Sequence, residues 1–541
     1  MRPGWLTLLV VLLWAAPAGA GELDVFVGPT ATDEIPSKPA PATPEAIAAG
    51  KKIYERRCLP CHGATGAGDG PAADTMDPRP RDFTKGKFKI RSTVHKALPT
   101  DEDLYRVISR GIPGSGMPAW KSLLSEDERL QVIAYIKTLA PAFSDGTKPE
   151  MIPVGPVPAA TEQMLKNGQE MFEKVCFVCH GKAGRGNGPL AVATQDDWGN
   201  PLYPRNLTKS WTYKGGNDVK DIFLRVSGSL NGTPMPAFMA TLSEEERWAL
   251  AHYVKSLQKP TPAADAVVIE SQRVDGELTD DPASPIWNGV HAVDVLMSGQ
   301  VHVPPRNQNP TVDLVMIQSI YNDKEIAFRL TWDDRTENRM HQDSERAQQM
   351  EVPIVTETYP VLYPPSVRLR NLRDSVALQF AVRMPQGPEK PHFFLGDTGK
   401  PVNLWRWMAD GDAVEELMAK GYKTPAARQP DESQQAAGKG VFTDGVWQVV
   451  LKRPLVTEDA ANDVQFGPER LIPVAVHVWD GANGETGLRR TISSWYFVVL
   501  KTGVPAGAFA VTGVAVLLAA GFEFWLVKRI RRQTAGKEQG R

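Results

Sequence analysis

Two pentapeptides, Cys58-Leu59-Pro60-Cys61-His62 and Cys176-Phe177-Val178-Cys179-His180, contain every cysteine of this 541-residue chain. Two cysteines three positions apart can both reach the vinyl groups of one porphyrin and form thioethers. The histidine that follows them then offers an imidazole nitrogen to the iron. A zinc site would need a second CxxC or an HxxxH pair for each metal. The pattern therefore predicts two covalently attached c-type haems, with His62 and His180 as iron ligands and Cys58, Cys61, Cys176 and Cys179 as attachment points.

The two pentapeptides occupy corresponding points of an internal repeat. Cys58 and Cys176 are 118 residues apart, and so are Met117 and Met235. A glycine-rich loop follows each pentapeptide, and a second shared string, at residues 80–85 and 204–209, has an offset of 124 residues. An insertion before this string is thus cancelled by a deletion after it, as expected for two copies of one fold with variable loops.

The two repeated methionines are candidate second ligands of the irons. Met117 and Met235 each lie in a loop rich in Gly and Pro, just before a predicted helix. A thioether there would bind the open face of the iron, and His/Met ligation raises the haem potential. A methionine that fills a gap in a core is the simpler explanation for a single residue, but two at equal distance from their CxxCH favour ligation. Met239 competes with Met235, yet its repeat partner is Lys121, so Met235 is preferred.

Helices are predicted on both sides of each site. Residues 44–57 and 161–175 have the periodicity of amphipathic helices that end in the CxxCH. Ser125 and Ser243 begin acidic capping signatures, each followed by apolar residues at helical spacing. Each repeat is therefore predicted to be an all-α domain.

This arrangement resembles class I cytochrome c twice, over residues 42–141 and 160–260. The resemblance implies that His62 and Met117 bind one iron and that His180 and Met235 bind the other. It leaves two interpretations open for Arg81 and Arg205. They either hold haem propionates or are solvated surface residues.

Apolar runs lie at both ends of the chain. Residues 5–14, followed by the small residues 18–20, predict a secretory signal peptide over residues 1–20. Residues 504–527 are long enough to cross a bilayer, and a basic tail, residues 528–541, follows. Because haem is attached to CxxCH outside the cytoplasm, these features predict a single-pass protein of the cytoplasmic (inner) membrane with its soluble domains in the periplasm.

Residues 266–500 have a different pattern, in which apolar positions alternate between turn residues. The runs at 312–317, 325–332, 376–382, 447–451, 472–479 and 494–500 predict strands. Many strands and few long helices indicate a β-sandwich. The net charge of the chain, −2, excludes the basic footprint of a nucleic-acid-binding protein.

Several strings in this third segment are more specific. Residues 391–397, 401–407 and 478–481 resemble the haem-b (gamma) subunit of ethylbenzene dehydrogenase and its relatives. These are third subunits of type II molybdenum enzymes of the DMSO reductase family, among them nitrate reductases and nitrite oxidoreductases. The resemblance implies a haem b in the sandwich, bound by a Met and a Lys. Leu395 and Arg490 stand at those positions here, and neither side chain is an iron ligand. Substitutes that stay open are Met384, Met408, His392 and His477.

These features favour a dihaem electron-transfer subunit rather than an enzyme, although catalysis by the chain itself stays open. By the resemblance, its partners are a molybdopterin catalytic subunit and an iron–sulfur subunit, with nitrite or nitrate chemistry favoured by analogy. Electrons would pass to or from a quinol-linked complex or another cytochrome. The alternative is a stand-alone membrane-anchored dihaem cytochrome c whose β-sandwich docks a partner or binds a ligand such as a carbohydrate. An independent dihaem enzyme is disfavoured, because six-coordinate iron leaves no open position for a substrate.

Overall fold

A computed structural model describes most of the chain outside its two ends. The described residues are 35–144, 146, 148–191, 194–196, 202–262, 266–300, 306–307, 312–339, 372–383, 390–468, 470–501 and 517–529. The predicted signal peptide, residues 1–20, lies outside them. So do residues 504–516 of the predicted anchor and residues 530–541 of the predicted tail.

Two helical domains follow one another and have the same order of elements. The helices of the first are α1 (Pro44–Arg57), α2 (Leu59–His62), α3 (Asp101–Arg110) and α4 (Glu126–Leu139). Those of the second are α5 (Glu162–Met171), a π-helical turn (Phe172–Cys176), α6 (Phe177–His180), α7 (Val219–Gly228) and α8 (Glu244–Ser256). The capping boxes expected at Ser125 and Ser243 are both formed, each with a side-chain oxygen 3.2 Å from the backbone nitrogen three residues on. They fix where α4 and α8 begin.

One glycine in each helical domain permits a close crossing of two helices. A Cβ atom at Gly50 of α1 would overlap the carbonyl oxygen of Gln131 in α4. A Cβ at Gly168 of α5 would likewise overlap the carbonyl oxygen of Ala249 in α8. Because the backbones touch, the last helix of each domain is held against the helix that leads into the CxxCH.

The strands of the chain, apart from β1, build the third domain. They are β1 (Met76–Asp77), which belongs to the first helical domain, then β2 (Val268–Arg273), β3 (Val293–Leu296), β4 (Arg306–Asn307), β5 (Leu314–Tyr321), β6 (Glu325–Asp333), β7 (Ser375–Ala381), β8 (Val402–Met408), β9 (Ala413–Ala419), β10 (Ala427–Arg428), β11 (Ala437–Thr443), β12 (Val446–Pro454), β13 (Ile472–Trp479), β14 (Thr491–Ile492) and β15 (Tyr496–Lys501). Each predicted strand run overlaps one of these strands.

The strands form a folded sheet instead of two separate ones. Their order is β10-β9-β8-β7-β13-β15-β2-β5-β6-β12-β11, with β14 beside β13 and β3 beside β5. Parallel pairing of β2 with β15 and with β5 joins the two halves. The halves then pack face to face, as in the predicted sandwich. Phe328 of β6 lies 5.9 Å from Phe380 of β7, and Trp407 of β8 lies 5.1 Å from Trp447 of β12, between ring centroids.

Each of the three domains contacts the other two. Arg91, in the first domain, is 1% exposed and donates to the carbonyl oxygens of Gly228 and Ser229 at the end of α7. Arg225 of α7 donates back to the carbonyl oxygen of Arg91 at 2.8 Å. The second domain packs on the β-domain, where the Trp211 indole donates to Asp313. The first domain also meets the β-domain directly, because β1 pairs in parallel with β4. The second helical domain therefore contacts both of its neighbours along the chain.

Residues 517–529 form a helix with exposed side chains. Within the part of the chain that the structure describes, no helix combines the length and apolar character needed to cross a bilayer.

Candidate functional site

Each CxxCH motif lies on a short helix that a glycine-rich loop folds back upon. Gly63, Gly66 and Gly68 have φ angles of 79°, 79° and 74°, which only glycine adopts without strain. The equivalent glycines of the second domain have φ angles of 74°, 71° and 78°. The loops close with the same bond, from the third glycine nitrogen to the histidine carbonyl oxygen, at 2.9 Å in one domain and 2.8 Å in the other.

Both histidines of these motifs are oriented by a backbone carbonyl. Nδ1 of His62 lies 3.0 Å from the carbonyl oxygen of Arg81, and Nδ1 of His180 lies 3.0 Å from that of Arg205. Burial lowers the pKa of both imidazoles. A neutral imidazole that donates from Nδ1 has the lone pair of Nε2 free, which is the form that binds a metal.

The CxxCH of the first domain borders an apolar cleft. The cleft has an empty volume of about 1350 Å³, part of it open to solvent, and Cys58, Cys61, His62 and Met117 all line it. Burial in these apolar surroundings raises the pKa of the Cys58 thiol to about 12, and the same holds for Cys176 in the second domain. The cleft can take a planar group of porphyrin size between the histidine and the methionine loop.

The methionine loops of the two domains are anchored in the same way. The nitrogen of Trp120 bonds to the carbonyl of Ile108 at 3.0 Å, and the nitrogen of Phe238 bonds to that of Val226 at 3.0 Å. These bonds place Met117 and Met235 at corresponding positions. Met239 corresponds instead to Lys121, since both nitrogens bond to the equivalent serine carbonyl of the preceding helix.

The sequence did not predict one of the residues that line the first cleft. Met76 lines the cleft of the first domain together with Met117, and its sulfur packs against Gly116. No repeat pattern pointed to it, because Thr194 lies 118 residues further on. The first cleft therefore contains two thioethers, of which only Met117 has a counterpart in the second domain.

The two candidate propionate partners have different surroundings. Arg81 lines the first cleft, as do Arg57, Arg79 and Lys89, and such cationic side chains are suited to carboxylates. Arg205 is half-buried in a small polar cavity that it shares with residues of the β-domain, including Asp313 and Arg335. Burial lowers its pKa to about 10, against the opposing effect of Asp313. The backbone carbonyls of both arginines, which sequence reasoning did not single out, hold the histidines.

Lys209 connects the second helical domain to the β-domain. Its side chain is 4% exposed and forms ion pairs with Asp313 and, at 3.5 Å, with Asp333. The indole nitrogen of Trp211 donates to the other oxygen of Asp313 at 2.8 Å. Because the two carboxylates outweigh the cost of burial, the pKa of Lys209 is raised. This contact fixes the domains relative to each other beside Arg205.

Lys209→Met is expected to weaken this junction by about 2 kcal/mol, since it leaves two poorly hydrated carboxylates facing each other. The matched control is Lys259→Met. Lys259 is 4.0 Å from Asp333 but 52% exposed, so its loss is expected to cost well under about 1 kcal/mol. Calorimetric unfolding should separate the transitions of the two domains in the first variant alone. Equal effects of the two substitutions would contradict this assignment.

The β-domain does not offer haem b the ligands that the resemblance implies. Leu395 is 2% exposed and packs in a small apolar cluster with Leu488 and Trp495. The Arg490 guanidinium lies over the rings of Phe394, at 5.1 Å, and Trp479, at 4.7 Å. The two positions thus adjoin one another but are filled by side chains that do not ligate iron.

The substitutes are engaged elsewhere or lie outside the described residues. Nδ1 of His392 accepts from the nitrogen of Phe394 at 3.1 Å, and Nε2 of His477 lies 3.2 Å from Oε1 of Gln379. Met408 is buried in β8, at 3% exposure. Met384 lies outside the described residues. Among the described residues, neither the two family positions nor these substitutes form a ligand pair for haem b.

Three family profiles match the chain. "Cytochrome C oxidase, cbb3-type, subunit III" matches residues 45–136, "Cytochrome c" matches 165–258, and "Ethylbenzene dehydrogenase" matches 284–443. The chain is 27% identical over 294 residues to a putative respiratory nitrate reductase heme subunit of Haloferax mediterranei, covering 52% of this chain and 94% of that protein. It is 30% identical over 231 residues to the dimethylsulfide dehydrogenase subunit gamma of Rhodovulum sulfidophilum, covering 40% of this chain and 74% of that protein.

Among solved structures, a chain of the Kuenenia stuttgartiensis reducing HAO-like protein complex is 43% identical. The match covers 41% of this chain and 99% of that one, with a TM-score of 0.38.

The family profiles match the two helical domains and part of the β-domain, and the two cytochrome c profiles imply two covalently bound haems c. This chain therefore belongs to the ethylbenzene-dehydrogenase-like family of gamma subunits of molybdenum oxidoreductases, and within it is a dihaem electron-transfer subunit that carries two cytochrome c domains ahead of the β-domain.

Proposed function

We propose that each helical domain holds its haem through the residues that the repeat pairs. Cys58 and Cys61 form the thioethers of the first haem, and His62 and Met117 bind its iron. In the second domain Cys176 and Cys179 form the thioethers, and His180 and Met235 are the ligands. The observation that carries this proposal is the repeated 3.0 Å contact from histidine Nδ1 to an arginine carbonyl.

The protein residues set the conditions under which a bound haem works. The haem supplies one-electron chemistry. The carbonyls of Arg81 and Arg205 hold the imidazoles in the tautomer that presents Nε2, and the methionine thioethers favour the reduced iron. In the first domain the apolar cleft would lower access of water to the haem, and the side chain of Arg81, which lines the cleft, would pair with propionates. In the second domain the side chain of Arg205 takes that role within the junction.

The order of contacts supports a route from one haem to the next. Lys214, of the second domain, lines the cleft of the first, and Gly215 lies against Ile90. The second site in turn borders the β-domain through Arg205 and Lys209. Electrons would therefore pass between the two cytochrome domains across this packed contact, without a step through a haem b.

The partners follow from the family. A molybdopterin catalytic subunit and an iron–sulfur subunit would bind the β-domain, and a quinol-linked complex or another cytochrome would exchange electrons with the haems. Nitrate or nitrite chemistry is favoured because the relative from Haloferax mediterranei carries a nitrate reductase name. Residues 1–20 would be cleaved as a signal peptide, and residues 504–527 would anchor the chain once in the inner membrane with its domains in the periplasm.

Purification under native conditions tests the partnership. Affinity-tagged protein from mildly solubilised membranes is expected to bring down molybdenum and iron–sulfur clusters in fixed ratio, and reduction of the catalytic subunit should reduce both haems. A culture that expresses the untagged chain is the control. If the protein purifies without partners while its haems are bound, the proposed complex is wrong and the alternative, a stand-alone dihaem cytochrome, is supported.

A further inference from the structure

A cluster of carboxylates lies in the β-domain beside its junction with the second cytochrome domain, since Asp334 lines the same polar cavity as Arg205. Asp334 follows β6, Asp374 precedes β7, and Asp480 follows β13, so the cluster joins the two halves of the sandwich at one end. One carboxylate oxygen from each lies within 4.8 Å of the others. The side chains are 2%, 0% and 1% exposed.

Two of these carboxylates are held rigidly by hydrogen bonds. Asp374 accepts from the backbone nitrogens of Asn338 and Gly481, both at 2.8 Å, and from the indole of Trp447 at 3.1 Å. Asp480 accepts from the backbone nitrogen of Ala482 at 2.9 Å. These donors fix the positions of the oxygens whether or not anything else binds them.

Two further oxygens have no partner within the described structure. Oδ2 of Asp334 is fully buried and accepts no hydrogen bond, and Oε1 of Glu485 is in the same state. The indole nitrogen of Trp332 lies near the Asp334 carboxyl but does not meet hydrogen-bond geometry. Glu485 is 2% exposed, and its other oxygen accepts from the nitrogen of Asp480 at 3.1 Å, which places its carboxyl group against the cluster.

The charges around the cluster do not balance. Arg335 approaches Asp480 at 3.9 Å, and Arg489 faces Glu485. Four carboxylates thus face two guanidinium groups. A buried, unpaired carboxylate oxygen is costly, and a divalent cation would remove both the charge excess and the two vacant acceptors.

We propose that Asp334, Asp374, Asp480 and Glu485 form a calcium site. All four candidate ligands are carboxylates, which suit hard cations rather than zinc. Calcium binds oxygen at about 2.3–2.6 Å, so oxygens on opposite sides of the ion lie roughly 5 Å apart, in agreement with the spacing of the three aspartate oxygens. Magnesium needs a tighter octahedron and keeps several waters, for which four carboxylates in a buried site leave little room.

The position of the site gives it a structural consequence. Asp480 and Glu485 belong to the loop after β13, and the carbonyl of Ala482 in that loop accepts from the Tyr203 hydroxyl of the second cytochrome domain at 3.3 Å. The Arg335 guanidinium lies 3.7 Å from the centre of the Tyr203 ring. Calcium would therefore fix the loop that the second cytochrome domain rests on.

Metal analysis and thermal unfolding of the full purified chain test the site. After gel filtration in metal-free buffer, about one calcium per chain is expected. Removal with EGTA should lower the Tm of the β-domain by on the order of 5 °C, and Ca²⁺ at about a hundred times its Kd should restore it. The same concentration of Mg²⁺ should not. Absence of bound calcium together with a Tm that Ca²⁺ does not move would overturn the proposal, as would restoration by Mg²⁺ alone.

Variants separate a metal site from a cluster of protonated acids. Asp334→Asn and Glu485→Gln are each expected to abolish the response of Tm to Ca²⁺, while the haem c content stays at two. Asp323→Asn, at an exposed carboxylate in the turn between β5 and β6, is the matched control and should keep the full response. If Asp334→Asn raises the Tm in metal-free buffer and calcium is missing from the wild type, the cluster is protonated and the proposal is wrong. The calcium content and the Tm response of the wild-type protein test the proposal even where a variant fails to fold.

Discussion

Alanine at Met117 or Met235 is expected to lower the reduction potential of one haem by on the order of 100 mV, while the other haem stays unchanged. A thioether ligand stabilises the reduced iron, and its loss leaves a vacant position or a harder ligand that favours the oxidised state. Potentiometric titration of each variant, followed in the visible spectrum, should show a two-component curve in which one component has moved. Each substitution should move a different component.

Two control variants sharpen this test. Met239→Ala should leave both potentials in place, because Met239 corresponds to Lys121 of the first domain. Met76→Ala should also leave them in place, although Met76 lines the first cleft. If Met76→Ala lowers a potential and Met117→Ala does not, the iron of the first domain is bound by Met76, and the ligand drawn from the repeat is wrong there.

Arg453→Met is expected to reduce the free energy of unfolding of the β-domain by about 3–5 kcal/mol. The Arg453 side chain is 0% exposed, and Nη1 lies 3.0 Å from Oε2 of Glu416 and 3.9 Å from Oδ2 of Asp463, which are both 0% exposed as well. Methionine keeps most of the volume but removes the charge, so two carboxylates are left buried without a cation. Denaturant unfolding followed by tryptophan fluorescence reports the change, because the guanidinium lies 4.6 Å from the Trp405 ring.

Arg428→Met is the matched control for this substitution. Arg428 pairs with Asp431 at 2.6 Å, but the two side chains are 49% and 88% exposed, so the loss should stay below about 1 kcal/mol. A loss of comparable size in the two variants would show that the buried network does not stabilise the domain beyond a surface ion pair.

Local patterns in the sequence accounted for much of the cytochrome domains. The repeat of CxxCH, glycine loop and methionine placed corresponding residues at corresponding points of two folds, because each pattern is a property of one short segment. The capping signatures at Ser125 and Ser243 formed as expected for the same reason. The sequence did not predict the backbone carbonyls that accept from the histidines, because any residue type supplies a backbone carbonyl. Arg81 and Arg205 were candidates only through their side chains.

The sequence did not predict the features that depend on contacts between distant segments of the chain. The alternation of apolar residues predicted the strands, but not that β2 and β15 pair in parallel and make one folded sheet from residues at opposite ends of the domain. The acidic cluster joins Asp334, Asp374 and Asp480, which are 40 and 106 residues apart in sequence. Lys214 lines the cleft of the other cytochrome domain because the two domains pack together, and the sequence pattern does not predict that packing.

The haem content of the purified chain tests the central claim most directly. A pyridine haemochrome assay, made before and after acid–acetone extraction, counts covalent and extractable haem separately. Two haems c per chain, both retained after extraction, and no stoichiometric haem b are expected. Fewer than two covalent haems would contradict the assignment of this chain as a dihaem electron-transfer subunit.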